Sequence, residues 1–168
     1  MAKTSGKLVK GSFEFTADLG RDAVEQISGE LCNLLADVFA LKTKNFHWHM
    51  TRSHFRDYHL LLDEQAEQIF AMTDDIAERA RKIGGTTLRS IGDISNRQRL
   101  KDNDKDSLTL REMLSELRTD NRELTRLLRQ AHCICEEYRE LATTSLIETW
   151  IDETERRTWF LSEAVNDL

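Results

Sequence analysis

Histidines and carboxylates recur at helical intervals along one stretch of this chain, and their spacing could hold a transition metal. With His59 at zero on a helix turning about 100° per residue, Asp63 falls at about 40°, Asp74 at about 60° and Glu78 at about 100°, all on one stripe. They form two i,i+4 pairs, His59 with Asp63 and Asp74 with Glu78, the spacing at which side chains on successive turns meet. Asp63 and Asp74 are 11 residues apart, hence about 16 Å along the axis, whereas ligands of one ion each lie roughly 2.0 to 2.2 Å from it. One straight helix therefore cannot bring both pairs to one ion. An antiparallel copy of the same helix can: a two-fold axis near Gln68 and Ile69 lays Asp74 and Glu78 of one chain beside His59 and Asp63 of its mate. His47 stands six residues before Ser53 and His59 six after it, so a hairpin turning near Ser53 brings the two imidazoles level. The expected ligand set is His47, His59 and Asp63 from one subunit with Asp74 and Glu78 from its two-fold mate. Mixed imidazole and carboxylate donors without thiolate suit Fe(II), with Mn(II) and Zn(II) as competitors. On spacing alone, the same residues also read as an ordinary solvated helix face, since i,i+4 charged pairs are common there.

Other candidates carry less. His49 lies about 200° round the helix from His47, His54 falls in the turn, and His132 stands beside Cys133, so none is assigned to the metal. No histidine has Glu three residues before it, which removes the Glu-x-x-His pattern of di-metal sites built inside a single bundle. Asp102-x-Asp104-x-Asp106 opens like a calcium loop, but Ser107 stands where the turn needs Gly and Met113 where the bidentate Glu belongs. A solvated loop is the better reading. The signatures H-E-x-x-H, G-x-S-x-G, G-x-G-x-x-G and G-x-x-x-x-G-K-[ST] are absent. Cys32, Cys133 and Cys135 lack C-x-x-C spacing and sit in apolar helical patterns, as reduced, mostly packed thiols do.

The elements that must position these residues are helical. The chain has 168 residues, no proline, seven glycines and 32% charged residues, which leaves long segments of good helix formers uninterrupted. A first helix follows Gly20 through Val24, Ile27, Leu31, Leu34, Leu35, Val38 and Phe39 towards His49. After Thr51-Arg52-Ser53 a second runs through Phe55, Tyr58, Leu62, Ala66, Ile69, Thr73, Ile76 and Ala80, stopping at Gly84-Gly85. Residues 86–106 form a polar connection with room for a short helix. Thr109 and Glu112 have capping-box spacing ahead of a third long helix through Leu110, Leu117, Leu124 and Ile134. A fourth begins at about Thr144 and carries Ile147, Trp150, Ile151, Trp159, Phe160 and Leu161. Two short connections around one long one suit an all-α four-helix bundle with a crossover.

The formal net charge is -6, which argues against a body that wraps nucleic acid with its whole surface. Lys3, Lys7 and Lys10 all precede the first acid, Glu14, in a Gly-, Ser- and Thr-rich opening, so residues 1–15 read as a flexible basic tail and 16–168 as the bundle. No apolar run approaches 18 residues and no signal-peptide core is present. Together with the reduced thiols this gives the expectation of a cytoplasmic protein without a membrane partner.

KNFHWHM, then FRDYHLLLDEQ, DDIAERARKIGGT and finally WIDETERRTWFL give the chain a resemblance to the Dps family, the mini-ferritins also called DNA-binding proteins from starved cells. The resemblance covers nearly everything but the tail. It implies a ferritin-like four-helix bundle with a short extra helix in the crossover, assembled from two-fold dimers into a homododecamer. It matches His47, His59, Asp63, Asp74 and Glu78 to a ferroxidase centre shared between subunits. Hydrogen peroxide, and less readily dioxygen, then oxidises Fe(II), and ferric mineral is stored in the shell. On this resemblance Trp48 either supplies or traps an electron beside His47, or packs an interface. Glu148, Asp152 and Glu155 either line three-fold pores or form a solvated face. Lys3, Lys7 and Lys10 either touch DNA phosphates, with avidity from twelve tails, or only solubilise the tail. The alternative function is a non-specific DNA-compacting nucleoid protein whose metal binding is secondary.

Overall fold

Leu31, Leu34, Leu35, Val38 and Leu41 recur at three- and four-residue intervals and are all buried, so the first apolar run becomes a helix with one face in the core. The computed structural model describes residues 18–47 and 54–168, with backbone alone for 45–47. Among them are five helices: α1 (Arg21–His47), α2 (Phe55–Lys82), α3 (Ile91–Arg97), α4 (Leu110–Glu137) and α5 (Leu141–Asn166). The basic tail and residues 48–53 lie outside the described residues.

The four long helices form the expected bundle, and α3 is the short helix of the crossover. Helices α1 and α4 run antiparallel: Tyr138 donates to Asp22 at one end, and Lys44 donates to Glu116 and Asp120 at the other. Helices α2 and α5 are also antiparallel, with Arg79 bonded to Glu140 and Thr143, and Glu64 facing Arg156. The core between them is Leu62, Ile69, Met72 and Ile76 from α2, Leu114, Leu117, Leu124 and Leu128 from α4, and Ile147, Trp150 and Leu161 from α5.

Local signals explain the ends. Thr109 and Glu112 form the reciprocal capping box at the start of α4. Gly84 ends α2 with φ 93°, and a Cβ on Gly85 would stand 2.3 Å from Ser28 Cβ, so both glycines are needed. The crossover is pinned by Asp37, which is fully buried on α1. Its carboxylate accepts the backbone N–H of Arg99 at 2.5 Å, Arg99 Nε at 2.8 Å and the Leu100 N–H at 3.1 Å.

Two expectations need correction. Helix α5 starts at Leu141, three residues earlier than the apolar pattern suggests, because the Glu140 side chain caps it by accepting the Thr143 N–H at 2.6 Å. Arg139 makes the reversal before it at φ 56°, in the left-handed region usually left to glycine. Trp159 and Phe160 belong outside the core and are exposed. The inward stripe of α5 is instead Thr143, Ile147, Trp150, Thr154, Arg157, Leu161 and Val165, and it includes an arginine.

Candidate metal centre

Helix α2 buries Leu62, Ala66, Ile69, Met72, Thr73 and Ile76, which turns the stripe of His59, Asp63, Asp74 and Glu78 away from the core. At its first turns, His59 Nε2 lies 3.2 Å from Asp63 Oδ2. The ring of Phe55 stacks on the imidazole at 5.1 Å and 15°. Phe55 stands in the apolar pattern of the sequence, yet it is exposed and its contact is with the histidine rather than the core. Helix α1, which ends at His47, packs along α2.

The second pair sits at the other end of the helix. Asp74 is exposed on the rim of an apolar groove lined by Leu35, Phe39, Phe70, Ala77 and Leu88. Glu78 is also exposed, and its carboxylate takes a hydrogen bond from Lys82 at 2.6 Å. Among the described residues no three His, Cys, Asp or Glu side chains converge to hold a metal ion. A single chain thus presents two separate pairs on one outward face. On the same face Leu60, within the first pair, and Phe70, between the two pairs, are each 53% exposed, with Lys42 Nζ over the Phe70 ring at 5.2 Å. Those two apolar side chains were not singled out by spacing, although they lie on the same stripe as the two pairs.

The remaining candidates separate. The side chain of His47, together with Trp48, His49, Lys3, Lys7 and Lys10, lies outside the described residues. His54 is the N-cap of α2 at φ 62°, in the turn as expected. His132 Nε2 is 3.1 Å from Glu148 and its Nδ1 3.5 Å from Glu136. Glu155 is ion-paired with Arg129, and Asp152 stands exposed between Glu148 and Glu155 on α5. Asp102, Asp104 and Asp106 line an open pocket beside Lys44 and lead into the capping box, as a solvated loop does. Cys32 and Cys135 are buried and Cys133 is exposed, all three as free thiols. Burial pushes the Cys135 thiol up to about 12.

Comparison with known proteins follows the same lines. The family model described as ferritin-like domain matches residues 30–168. The DNA protection during starvation protein of Agrobacterium fabrum is 30% identical over 152 residues, covering 89% of this chain and 94% of that one. Among solved structures, DpsC from Streptomyces coelicolor superposes with a TM-score of 0.86 at 24% identity, covering 90% of each chain. A Dps protein from Vibrio cholerae O1, described as a member of a broad superfamily of ferritin-like diiron-carboxylate proteins, gives 0.82 at 21% identity, over 88% of this chain and 93% of that one. No helix among the described residues is long and apolar enough to cross a membrane.

Proposed function

Because this chain belongs to the ferritin-like domain family, within its Dps group, we propose that it is a ferroxidase and iron store. It oxidises Fe(II), preferentially with hydrogen peroxide, and mineralises the product inside a dodecameric shell, protecting DNA from oxidative damage. The observation that carries this reading is the outward stripe of α2, where a histidine and carboxylate pair and a second carboxylate pair sit about 16 Å apart on one rigid helix. A two-fold mate running antiparallel completes each pair with the other, and His47 joins from the end of α1.

The donor set fits a substrate ion. Imidazole and carboxylate hold Fe(II) without the soft thiolates that would select other metals, and Mn(II) or Zn(II) compete for the same ligands. Each ferrous ion gives up one electron. A peroxide molecule takes two, together with two protons, and leaves as two waters, so both reagents of hydroxyl-radical chemistry are consumed together. Trp48, next to His47 in sequence, is proposed to supply or trap an electron. Glu148, Asp152 and Glu155, all exposed on α5, are proposed to line three-fold pores that admit cations.

Anaerobic Fe(II) titration followed by peroxide addition tests the proposal, watched by absorbance. Saturable binding near two sites per two-fold dimer and a fast ferric signal are expected; oxidation no faster than in protein-free buffer refutes it.

The names of the curated relatives favour a second reading, in which the shell also binds DNA and is nucleoid-associated in the cytoplasm. Lys3, Lys7 and Lys10 would make the phosphate contacts, multiplied by the number of tails. Gel-shift titration with and without residues 1–12 tests it, and equal retardation of DNA by both forms removes the tail from that role.

A further inference from the structure

His132 presents both of its ring nitrogens to carboxylates. Its Nδ1 lies 3.5 Å from Glu136 Oε2, one turn further along α4, and its Nε2 lies 3.1 Å from Glu148 Oε1 on α5. The imidazole side chain is 20% exposed, whereas those of Glu136 and Glu148 are 62% and 64% exposed. A fixed ring therefore stands between two adaptable acids. Among the described residues neither carboxylate meets a lysine or arginine, because Arg129, one turn back on α4, is engaged by Glu155 instead.

Proton counting leaves one of these contacts open. A neutral imidazole carries a single N–H, and an ionised carboxylate only accepts. Whichever acid takes that hydrogen, the other contact sets lone pair against lone pair, and the trio carries two negative charges. A second proton cancels one of them. A divalent ion cancels both.

The distances favour an ion at Nε2. Two donor atoms each about 2.1 Å from one ion stand roughly 3.0 to 3.4 Å apart, for angles between octahedral and tetrahedral. His132 Nε2 and Glu148 Oε1 have that separation, as His59 Nε2 and Asp63 Oδ2 do at 3.2 Å. Glu136 faces the other ring nitrogen, where a carboxylate fixes the tautomer and orientation of a metal-bound histidine.

We propose that His132 Nε2 and the Glu148 carboxylate bind a divalent transition ion where α4 meets α5. Glu136 is the positioning residue behind the ring, and water fills the remaining places. One imidazole and one carboxylate donor suit Zn(II), Co(II) or Fe(II). The site lies within one chain and uses none of the α2 residues, so it stands apart from the shared iron centre and does not require Glu148 to line a pore.

Crystals of the full chain soaked in Zn(II) and measured at the zinc edge should show an anomalous peak bonded to His132 Nε2 and Glu148. A bridging proton in place of the ion leaves no peak there, which overturns the proposal. In solution, equilibrium dialysis against Zn(II) should find one ion per subunit fewer in His132→Ala than in wild type. Glu148→Gln should give the same loss, and Glu136→Gln should weaken that one ion at least about tenfold. Equal zinc stoichiometry and affinity in wild type, His132→Ala and Glu148→Gln overturns the proposal. Mg(II), which favours oxygen donors and keeps its waters, should leave the ion in place even in large excess; displacement by Mg(II) would show a diffuse carboxylate atmosphere instead and also overturns it. The same peak should persist in His59→Ala/Asp63→Ala. Absent peroxide-driven oxidation in wild type thus speaks against the α2 centre alone, and absent zinc at His132 against this site alone.

Discussion

His59 Nε2 stands 3.2 Å from Asp63 Oδ2, and Phe55 stacks on the same imidazole, so this half of the proposed centre is oriented within one chain. An oriented pair loses little freedom on binding an ion. His59→Ala or Asp63→Ala should slow peroxide-driven Fe(II) oxidation at least about tenfold. Because the pair is partly exposed, unfolding free energy should change by no more than about 1 kcal/mol. Stopped-flow absorbance and chemical denaturation read the two quantities separately, and wild-type oxidation rates in both variants would falsify the site.

Shared ligation has a distinct signature. A His59→Ala/Asp63→Ala chain and an Asp74→Ala/Glu78→Ala chain should each be inactive alone. Refolded together in equal amounts, random pairing leaves about a quarter of the sites with all their ligands. Iron oxidation should recover to that fraction. No recovery in mixed dimers verified by mass spectrometry would show that the ligands do not come from two chains.

Asp37 tests the clamp on the crossover. Asp37→Ala leaves Arg99 Nε and the backbone N–H groups of Arg99 and Leu100 without their acceptor, with only Glu30, 2.6 Å from Arg99 Nη1, still holding the guanidinium. Removing one partner of a buried ion pair costs about 3 to 5 kcal/mol, so the denaturant midpoint should fall steeply. A loss below about 1 kcal/mol would mean the clamp contributes little.

The capping box of α4 predicts a pH dependence. The hydroxyl and backbone N–H of Thr109 donate to the Glu112 carboxylate at 2.7 and 2.8 Å, holding it below its ordinary value of 4.5. A carboxyl depressed in the folded state stabilises above its unfolded value, and that contribution is lost as pH falls through the folded one. The thermal midpoint of wild type should exceed that of Glu112→Gln at neutral pH. The gap should close in acid below the depressed value; a gap independent of pH contradicts the assignment.

Thiol chemistry should be selective. Burial raises the thiols of both Cys32 and Cys135, the latter to about 12, and Cys32 also donates to the Thr86 carbonyl at 3.2 Å. Iodoacetamide at neutral pH should modify no cysteine other than Cys133 in the native protein, and all three after unfolding, as read by peptide mass spectrometry. Native labelling of Cys135 would contradict the packing of α4.

The architecture was legible in the sequence wherever a local rule had one strong outcome. The spacing of Leu31, Leu34, Leu35 and Val38, the glycine pair after Lys82 and the Thr109 to Glu112 box each identified a helix or its end. The start of α5 was not legible, because glutamate is an unusual cap and Arg139 occupies a glycine conformation. Periodicity also counted Phe55, Trp159 and Phe160 with the core. It measures apolarity, whereas their exposure depends on which way each helix is rotated against its neighbours. The His59 and Asp63 pair was visible as an i,i+4 spacing, but the buried Arg157 was hidden by its charge, since no sequence pattern marks an arginine that faces inward.

That arginine also bears on how such a bundle can change over generations. Metal sites inside a bundle need inward carboxylates and histidines on several helices at once. Here the same interior carries Gln65, Asn121 and a fixed cation. Any single replacement towards an internal site buries one more unpaired or mismatched charge before a metal can compensate it. The proposed centre on the outer face of α2 avoids that conflict, because ligands can be exchanged there one at a time without burying a charge in the core.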